Sequence, residues 1–200
     1  MLRLAFPALA DADPVVAGLQ ADYPGLRPVC FHSPYEAAAR TIIGNRIRTS
    51  QAATIKARLA QQHGHTLDVS GRRLNAFPTP AVLRSLDHVP GLTGIKIERL
   101  HAIAEAALDG RLDAAALREL PGVGPFSAEL ILICGAGHPD VFPTAEPRTH
   151  RAMGAAYQLD TAITENPGRL ARIADVWRPY RSWIALLLRV RAHDRTAPTR

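Results

Sequence analysis

The chain has 200 residues, 47% hydrophobic and 21% charged, which excludes a disordered chain and suits one compact domain or two lobes. Twenty-four Lys and Arg against 18 Asp and Glu leave a net charge of +6. That balance favours an anionic partner, nucleic acid first, although an Arg-rich proteome would produce the same bias. No stretch approaches the roughly 20 apolar residues of a membrane span. Cys30 and Cys134 stand too far apart in sequence for a metal motif.

Nearly every segment reads as helix. The opening MLRLAFPALADA is only faintly signal-like, its apolar run broken by Pro7, so a cytoplasmic protein is expected. Asp13-Pro14 caps and opens a helix. Ser33-Pro34-Tyr35-Glu36 is a capping box leading a helix to about Ile43, which Gly44-Asn45 breaks. Apolar spacing predicts helices from Thr49 to about Gln62 and from Ile95 to Leu108, with a short one opened by Thr79-Pro80 between them. Asp113 caps a short helix ending near Leu120, and Pro125 begins the most apolar one, to about Cys134. Helices near 146–157, 167–177 and 180–192 follow, and the tail AHDRTAPTR reads as frayed. No run alternates at period two, so strands are not expected, and the fold class is all-α. One internal echo stands out: LDHVPGLTGIKIERL (86–100) resembles LRELPGVGPFSAEL (117–130), each a short helix, a Pro-Gly turn and a longer helix.

The turn Pro121-Gly122-Val123-Gly124 points to chemistry. Glycines permit positive φ and close approach by another backbone. The first amides of the helix opening at Pro125 have no intrahelical partner. Together with the glycine N–H groups they form an anion nest at a helix N-terminus. This is a helix–hairpin–helix grip for a DNA backbone, or else a plain corner between two helices.

LPGVGPFSAELILICGAGHPDVFPTAE resembles the signature region of the helix–hairpin–helix DNA glycosylase superfamily, and within it the bacterial 3-methyladenine DNA glycosylase II type. TIIGNRIRTSQAATIKARLAQQHG, FPTPAVLRSLDHVPGLTGIKIERLHAIAEAALDG and WRPYRSWIALLL extend that similarity over almost the whole chain. The resemblance implies two helical lobes: one of about residues 34–137, a helical barrel holding the hairpin 117–130, and one of about 1–33 with 138–200. Such enzymes often carry an extra N-terminal β domain. The chain begins too late for one, so the minimal helical core is expected.

An enzyme acting on a base must extrude it from the duplex. The resemblance implies that Gly122, Val123, Gly124 and Phe126 grip the backbone. A structural Na⁺ or K⁺ would sit on the carbonyls of Arg118, Leu120 and Val123; no other cofactor is expected. The loop GNRIR would bring Asn45, Arg46 and Arg48 to DNA. Arg46 falls where relatives place the side chain that enters the duplex, or it is a phosphate-contacting surface residue. Phe126 stands where bifunctional relatives have Lys, which implies base hydrolysis without lyase activity and an aromatic face for a cationic alkylated base. Tyr35 and Trp183 would line the base pocket or else belong to the core. Counting from Asp140-Val141-Phe142, the position of the family's catalytic Asp falls on Glu146, one methylene longer; its other reading is a helix-start acid favoured by the dipole. HPD at 138–140 is read as a loop, and Asp140 as a structural cap. The implied activity is monofunctional release of damaged, alkylated bases such as 3-methyladenine from double-stranded DNA, by a monomer with no membrane partner. The rival is a lesion-binding protein of the same fold with weakened or lost catalysis.

Overall fold

A computed structural model describes residues 7–26, 30–31 and 33–196. In chain order the elements are α1 (Pro7–Ala12), α2 (Pro14–Asp22), α3 (Pro34–Gly44), α4 (Thr49–His63), β1 (Thr66–Val69), β2 (Arg72–Asn75), α5 (Pro80–Arg84), α6 (Gly94–Leu108), α7 (Ala116–Glu119), α8 (Pro125–Leu130), α9 (Pro147–Tyr157), α10 (Thr161–Thr164), α11 (Pro167–Ile173) and α12 (Arg181–Thr196). A π-helical turn, Ile131–Gly135, continues α8, and a 3-10 turn, Ala174–Trp177, continues α11. The helix starts follow a shared local logic. Proline, whose fixed φ suits a first turn and whose missing N–H costs nothing there, opens α2, α3, α5, α8, α9 and α11. Asp13, Ser33, Thr79, Glu146 and Asn166 each accept a first-turn N–H on the side chain. The Glu36 carboxylate does not close the box on Ser33; it pairs with Lys56. No helix among the described residues is long and apolar enough to cross a membrane. Residues 1–6 of the faintly signal-like opening and 197–200 of the tail lie outside the described residues.

Two expectations are corrected. The chain does contain strands: β1 and β2 form an antiparallel hairpin pairing Thr66 with Asn75 and Val69 with Arg72. All eight residues are exposed, so neither face needs the apolar alternation that betrays a half-buried strand. Ser70 and Gly71, both at positive φ (55° and 74°), form the two-residue turn. The tail is helical further than read, because α12 continues to Thr196, with Asp194 accepting the Tyr23 hydroxyl at 2.7 Å.

The chain divides into two units, Phe31–Ala136 and Met1–Cys30 with Gly137–Arg200. In the first, Ile42 and Ile43 of α3 pack with Leu100 and Ile103 of α6, Leu117 of α7 and Ile131. The π turn lies so close to α3 that a Cβ at Gly135 would stand 2.8 Å from the Ala37 Cβ and 2.9 Å from the Pro34 Cα. In the second unit Leu19, Met153, Leu170, Trp177 and Ile184 form the core. A half-buried polar chain runs beside it: the Trp177 Nε1–H donates to the Tyr157 oxygen at 3.0 Å, and the Tyr157 hydroxyl donates to the Asp13 carboxylate at 2.6 Å. Burial, then the Asp13 carboxylate, push the Tyr157 phenol up.

Gly64 is the tightest glycine among the described residues tested for a Cβ. A Cβ there would stand 1.8 Å from the Ala76 carbonyl oxygen and 2.6 Å from that of Ala60. Ala76 donates its N–H to His65 at 2.9 Å, closing the base of the hairpin, so the obstruction is rigid backbone. Gly64→Ala is therefore expected to cost about 2–3 kcal/mol, read as a lowered midpoint in thermal denaturation.

Candidate nucleic-acid interface and carboxylate site

Within residues 31–136, α7 ends at Leu120, whose backbone turns extended (φ −70°, ψ 130°). Gly122 adopts φ +83°, a conformation that favours glycine. Val123 is buried in the core and donates its N–H to the Leu120 carbonyl at 3.1 Å, pinning the hairpin. Gly124 caps α8 from an extended conformation with no side-chain hydrogen bond. The opening amides of α8 thus face outward with their donors unspent on a cap. Phe126, second in α8, is 46% exposed. The carbonyls of Arg118, Leu120 and Val123 fall on the last turn of α7 and on the hairpin itself. An oxygen-only donor set suits a hard cation, and the Leu120 oxygen, which already accepts one N–H, keeps a second lone pair.

The loop after α3 is fixed more firmly than its sequence suggests. Asn45 caps α3 and Arg46 sits at φ +55°, an uncommon conformation for a residue with a Cβ. Lys96, from the first turn of α6, donates to the carbonyls of Ile43 (2.9 Å) and Asn45 (2.7 Å). This ammonium binds the open C-terminus of α3 and holds the turn that displays Arg46. Burial, with the charge of Arg99 adding to it, lowers the Lys96 pKa. Arg48 occupies the cap position of α4 without a side-chain bond and is exposed. A cavity of about 670 Å³ gathers Asn45, Arg46, Lys96, Arg99, Gly122 and Gly124 on its walls, with no carboxylate among its lining residues. Lys96 and Arg99 were not singled out from the sequence, although the echo at 86–100 contains both.

Tyr35 lies elsewhere in this unit. Its ring packs against the core and tilts onto Phe77 at 5.8 Å, and its hydroxyl donates to the Pro78 carbonyl at 2.9 Å. It lines a separate cavity of about 810 Å³ beside Lys56 and Phe77. Burial, then the Glu36 charge, push its phenol up.

Glu146 and Trp183 belong to the other unit. Trp183 is partly buried and packs against that unit's core. Glu146 is 7% exposed and caps α9: Oε1 accepts the Arg148 N–H at 3.1 Å and Oε2 pairs with the Arg189 guanidinium at 3.0 Å. His150, one turn on, has Nε2 3.0 Å from the Pro143 carbonyl and stacks its ring on Phe142, centroids 6.1 Å apart. The loop leading to this carboxylate is anchored from α12. Arg181 binds Asp140 through Nε at 2.7 Å, and Arg178 adds a bond at 3.0 Å. Ser182 accepts the Val141 N–H at 2.9 Å and donates its own N–H to the Pro139 carbonyl at 2.9 Å. Burial raises the Asp140 pKa, but hydrogen bonds from Arg181 and the charges of Arg181 and Arg178 outweigh it and hold the carboxyl below its usual range.

No family model matches the chain. DNA-3-methyladenine glycosylase 2 of Escherichia coli is 30% identical to it over 84% of this chain and 61% of that protein. A probable bifunctional transcriptional activator/DNA repair enzyme AlkA of Mycobacterium tuberculosis is 30% identical over 86% of this chain and 38% of its own length. The chain thus spans less than two thirds of either curated relative. In fold it matches the 3-methyladenine DNA-glycosylase from Archaeoglobus fulgidus with a TM-score of 0.76 and 21% identity, over 96% of this chain and 69% of that one. The chain has the fold of this glycosylase. In sequence it is similar to the helix–hairpin–helix DNA glycosylases of the AlkA type, the 3-methyladenine glycosylases.

Proposed function

We propose that the chain is a DNA glycosylase of base excision repair that extrudes alkylated purines such as 3-methyladenine from duplex DNA and hydrolyses their N-glycosidic bond. The observation that carries this reading is the capless hairpin at Gly122–Gly124, set in a cavity whose charged walls are all basic, in a chain 30% identical to a glycosylase of that name. Amides at Gly124 and Phe126 would take a backbone phosphate, and Arg46 would fill the gap left by the extruded base or hold the phosphate beside it. The exposed Phe126 ring supplies a π-face for a methylated, positively charged purine. As that purine departs, the sugar acquires oxocarbenium character, which the Glu146 carboxylate would stabilise while it orients the attacking water. Phe126 carries no amine with which to form a covalent adduct on the sugar, so strand cleavage is not part of the reaction. A Na⁺ or K⁺ on the carbonyls of Arg118, Leu120 and Val123 would brace the hairpin against the phosphate. The working form is a cytoplasmic monomer on double-stranded DNA, and Tyr35 and Trp183 take their other reading, as residues packed against the cores of their own units.

The second reading, a lesion-binding protein with weakened catalysis, draws on one observation: Arg148 and Arg189 already occupy both oxygens of Glu146. Incubating the protein with methylated duplex DNA and analysing released bases by mass spectrometry separates the two. The enzyme liberates methylpurines and leaves intact abasic strands. A binding protein retains the lesion duplex and liberates none.

A further inference from the structure

Glu146 and its partner Arg189 have unlike surroundings, although both belong to the unit of Met1–Cys30 with Gly137–Arg200. The Glu146 side chain is 9% exposed and the Arg189 side chain 38%. Helix α12 packs along α9 with Leu187 and Leu188 in the core, which fixes the point from which Arg189 extends. Its Nη1 pairs with the Glu146 Oε2 at 3.0 Å, and among the described residues no other carboxylate pairs with it. A guanidinium carries five N–H donors in a rigid fork. Arg189 therefore runs from a nearly dry acid out to water, with further donors beyond the one that Glu146 takes. Arg148, whose N–H holds the other Glu146 oxygen, is exposed and has no ion pair to a carboxylate among the described residues.

The chemistry proposed for Glu146 sets an electrostatic problem. To stabilise an oxocarbenium ion the carboxylate must face the C1′ of the extruded nucleotide. The two phosphodiesters of that nucleotide lie within a sugar's width of C1′. A carboxylate and a phosphate held so close repel each other, more strongly in a part-dehydrated site than in water. A cation between them converts the repulsion into attraction on both sides. Arg189 is the cation already in contact with the carboxylate, and its planar fork matches the oxygens of a phosphate as well as those of a carboxylate.

We infer that Arg189 is a substrate-binding residue: its outward N–H donors hold a phosphate flanking the extruded nucleotide while Nη1 stays on Glu146. This rests on reading Glu146 as the carboxylate that faces the sugar in a duplex-DNA glycosylase. The bridge sets the distance between sugar and carboxylate. It forms only once a nucleotide has left the stack, so it adds to the binding of a lesion and not to the binding of intact duplex. Phosphate contacts fix position and carry no sequence information, so this one serves any base that the enzyme extrudes.

Removing the phosphate charge as well as the arginine tests the bridge. Fluorescent duplexes carry one tetrahydrofuran, a stable stand-in for the abasic nucleotide. Its linkages are natural, or a neutral methylphosphonate replaces the phosphate on its 5′ or its 3′ side. Affinity is measured by anisotropy at one fixed salt concentration, with an intact duplex as reference and a thermal melt of each protein. Arg189→Gln, whose amide can still donate to Glu146, should bind the natural tetrahydrofuran duplex about 10-fold more weakly and the intact duplex within about 3-fold of wild type. A methylphosphonate at one of the two positions should weaken wild type by about the same 10-fold but Arg189→Gln by less than about 2-fold, because both changes remove one contact. Arg189→Lys keeps the charge without the fork and should fall between. The linkage is altered in the DNA, so wild type reports the contact even where a variant is less stable. If the methylphosphonate penalties are equal in wild type and Arg189→Gln at both positions, Arg189 serves only Glu146; the bridge is overturned and the function stands. If wild type binds the tetrahydrofuran duplex no more tightly than the intact one and releases no methylpurine, both are overturned.

Discussion

Glu146→Gln is expected to slow methylpurine release by about 10²–10³-fold and to leave duplex binding in place. The amide keeps the shape of the side chain, and its Oε1 can still accept the Arg148 N–H that opens α9. What it removes is the negative charge facing Arg189, whose side chain is 38% exposed and screened by water. Losing such a pair costs about 1 kcal/mol or less. Against a typical stability of roughly 5–15 kcal/mol, that leaves the protein folded. A hundredfold loss of rate corresponds to about 2.7 kcal/mol of barrier, more than the lost ion pair can explain through unfolding. Single-turnover release from methylated duplex, beside a thermal melt of each protein, makes the comparison. Release within about 3-fold of wild type, with a lowered melting midpoint, would reduce Glu146 to a helix cap and sink the proposed chemistry. Glu146→Asp separates charge from reach: the carboxylate is kept but drawn back by one methylene, a displacement of about an ångström that can change rates by about 10²-fold.

The helical elements were legible because their signals are local. Proline at the first turn after Asp, Ser or Thr marks α2, α3 and α5 without reference to anything distant in sequence. The hairpin at Pro121–Pro125 was equally legible, since its positive φ, buried Val123 and uncapped helix start are all written in five residues. The strands at 66–75 escaped because an exposed hairpin carries no buried face, and only Ser70-Gly71 announces its turn. The site's supporting residues escaped for another reason. Lys96 lies 53 residues from Ile43, whose carbonyl it binds. Arg189 meets Glu146 from α12, and nothing in its surroundings RVRAHDR distinguishes it from its neighbours. The resemblance proposed Glu146 by counting along the chain; the contacts of its carboxylate are matters of tertiary placement that counting does not reach. Asp140 shows the mixed case. It reads as a structural cap, but its partners come from 38 and 41 residues away.

Asp140→Asn is expected to destabilise the protein by about 3 kcal/mol, a fall of roughly 6–12 °C in melting midpoint for a chain of this size. Most of the loss comes from Arg181, whose side chain is only 14% exposed and would keep its charge after its partner lost its own. Arg178, 54% exposed, contributes little because solvent takes over its hydrogen bonds. The pH dependence gives an independent check. The folded Asp140 carboxyl is held below its usual range, so the folded protein binds this proton less readily than the unfolded chain. Its stabilisation is therefore fully present above the unfolded carboxylate pKa of about 3.9 and is lost as pH falls through the lower, folded value. Wild type should thus lose stability more steeply than Asp140→Asn below about pH 4, and the gap between the two should be widest near neutrality. Chemical denaturation at several pH values measures this; two curves that run parallel from neutral to acid pH would show that the Asp140 charge contributes nothing to the fold. The same substitution bears on chemistry, because Asp140, with Ser182, anchors the segment that runs through Phe142 and Pro143 to Glu146. Release of methylpurine, normalised to the folded fraction, should fall further than the stability loss alone predicts, since a carboxylate displaced by an ångström no longer meets the charge it is there to stabilise.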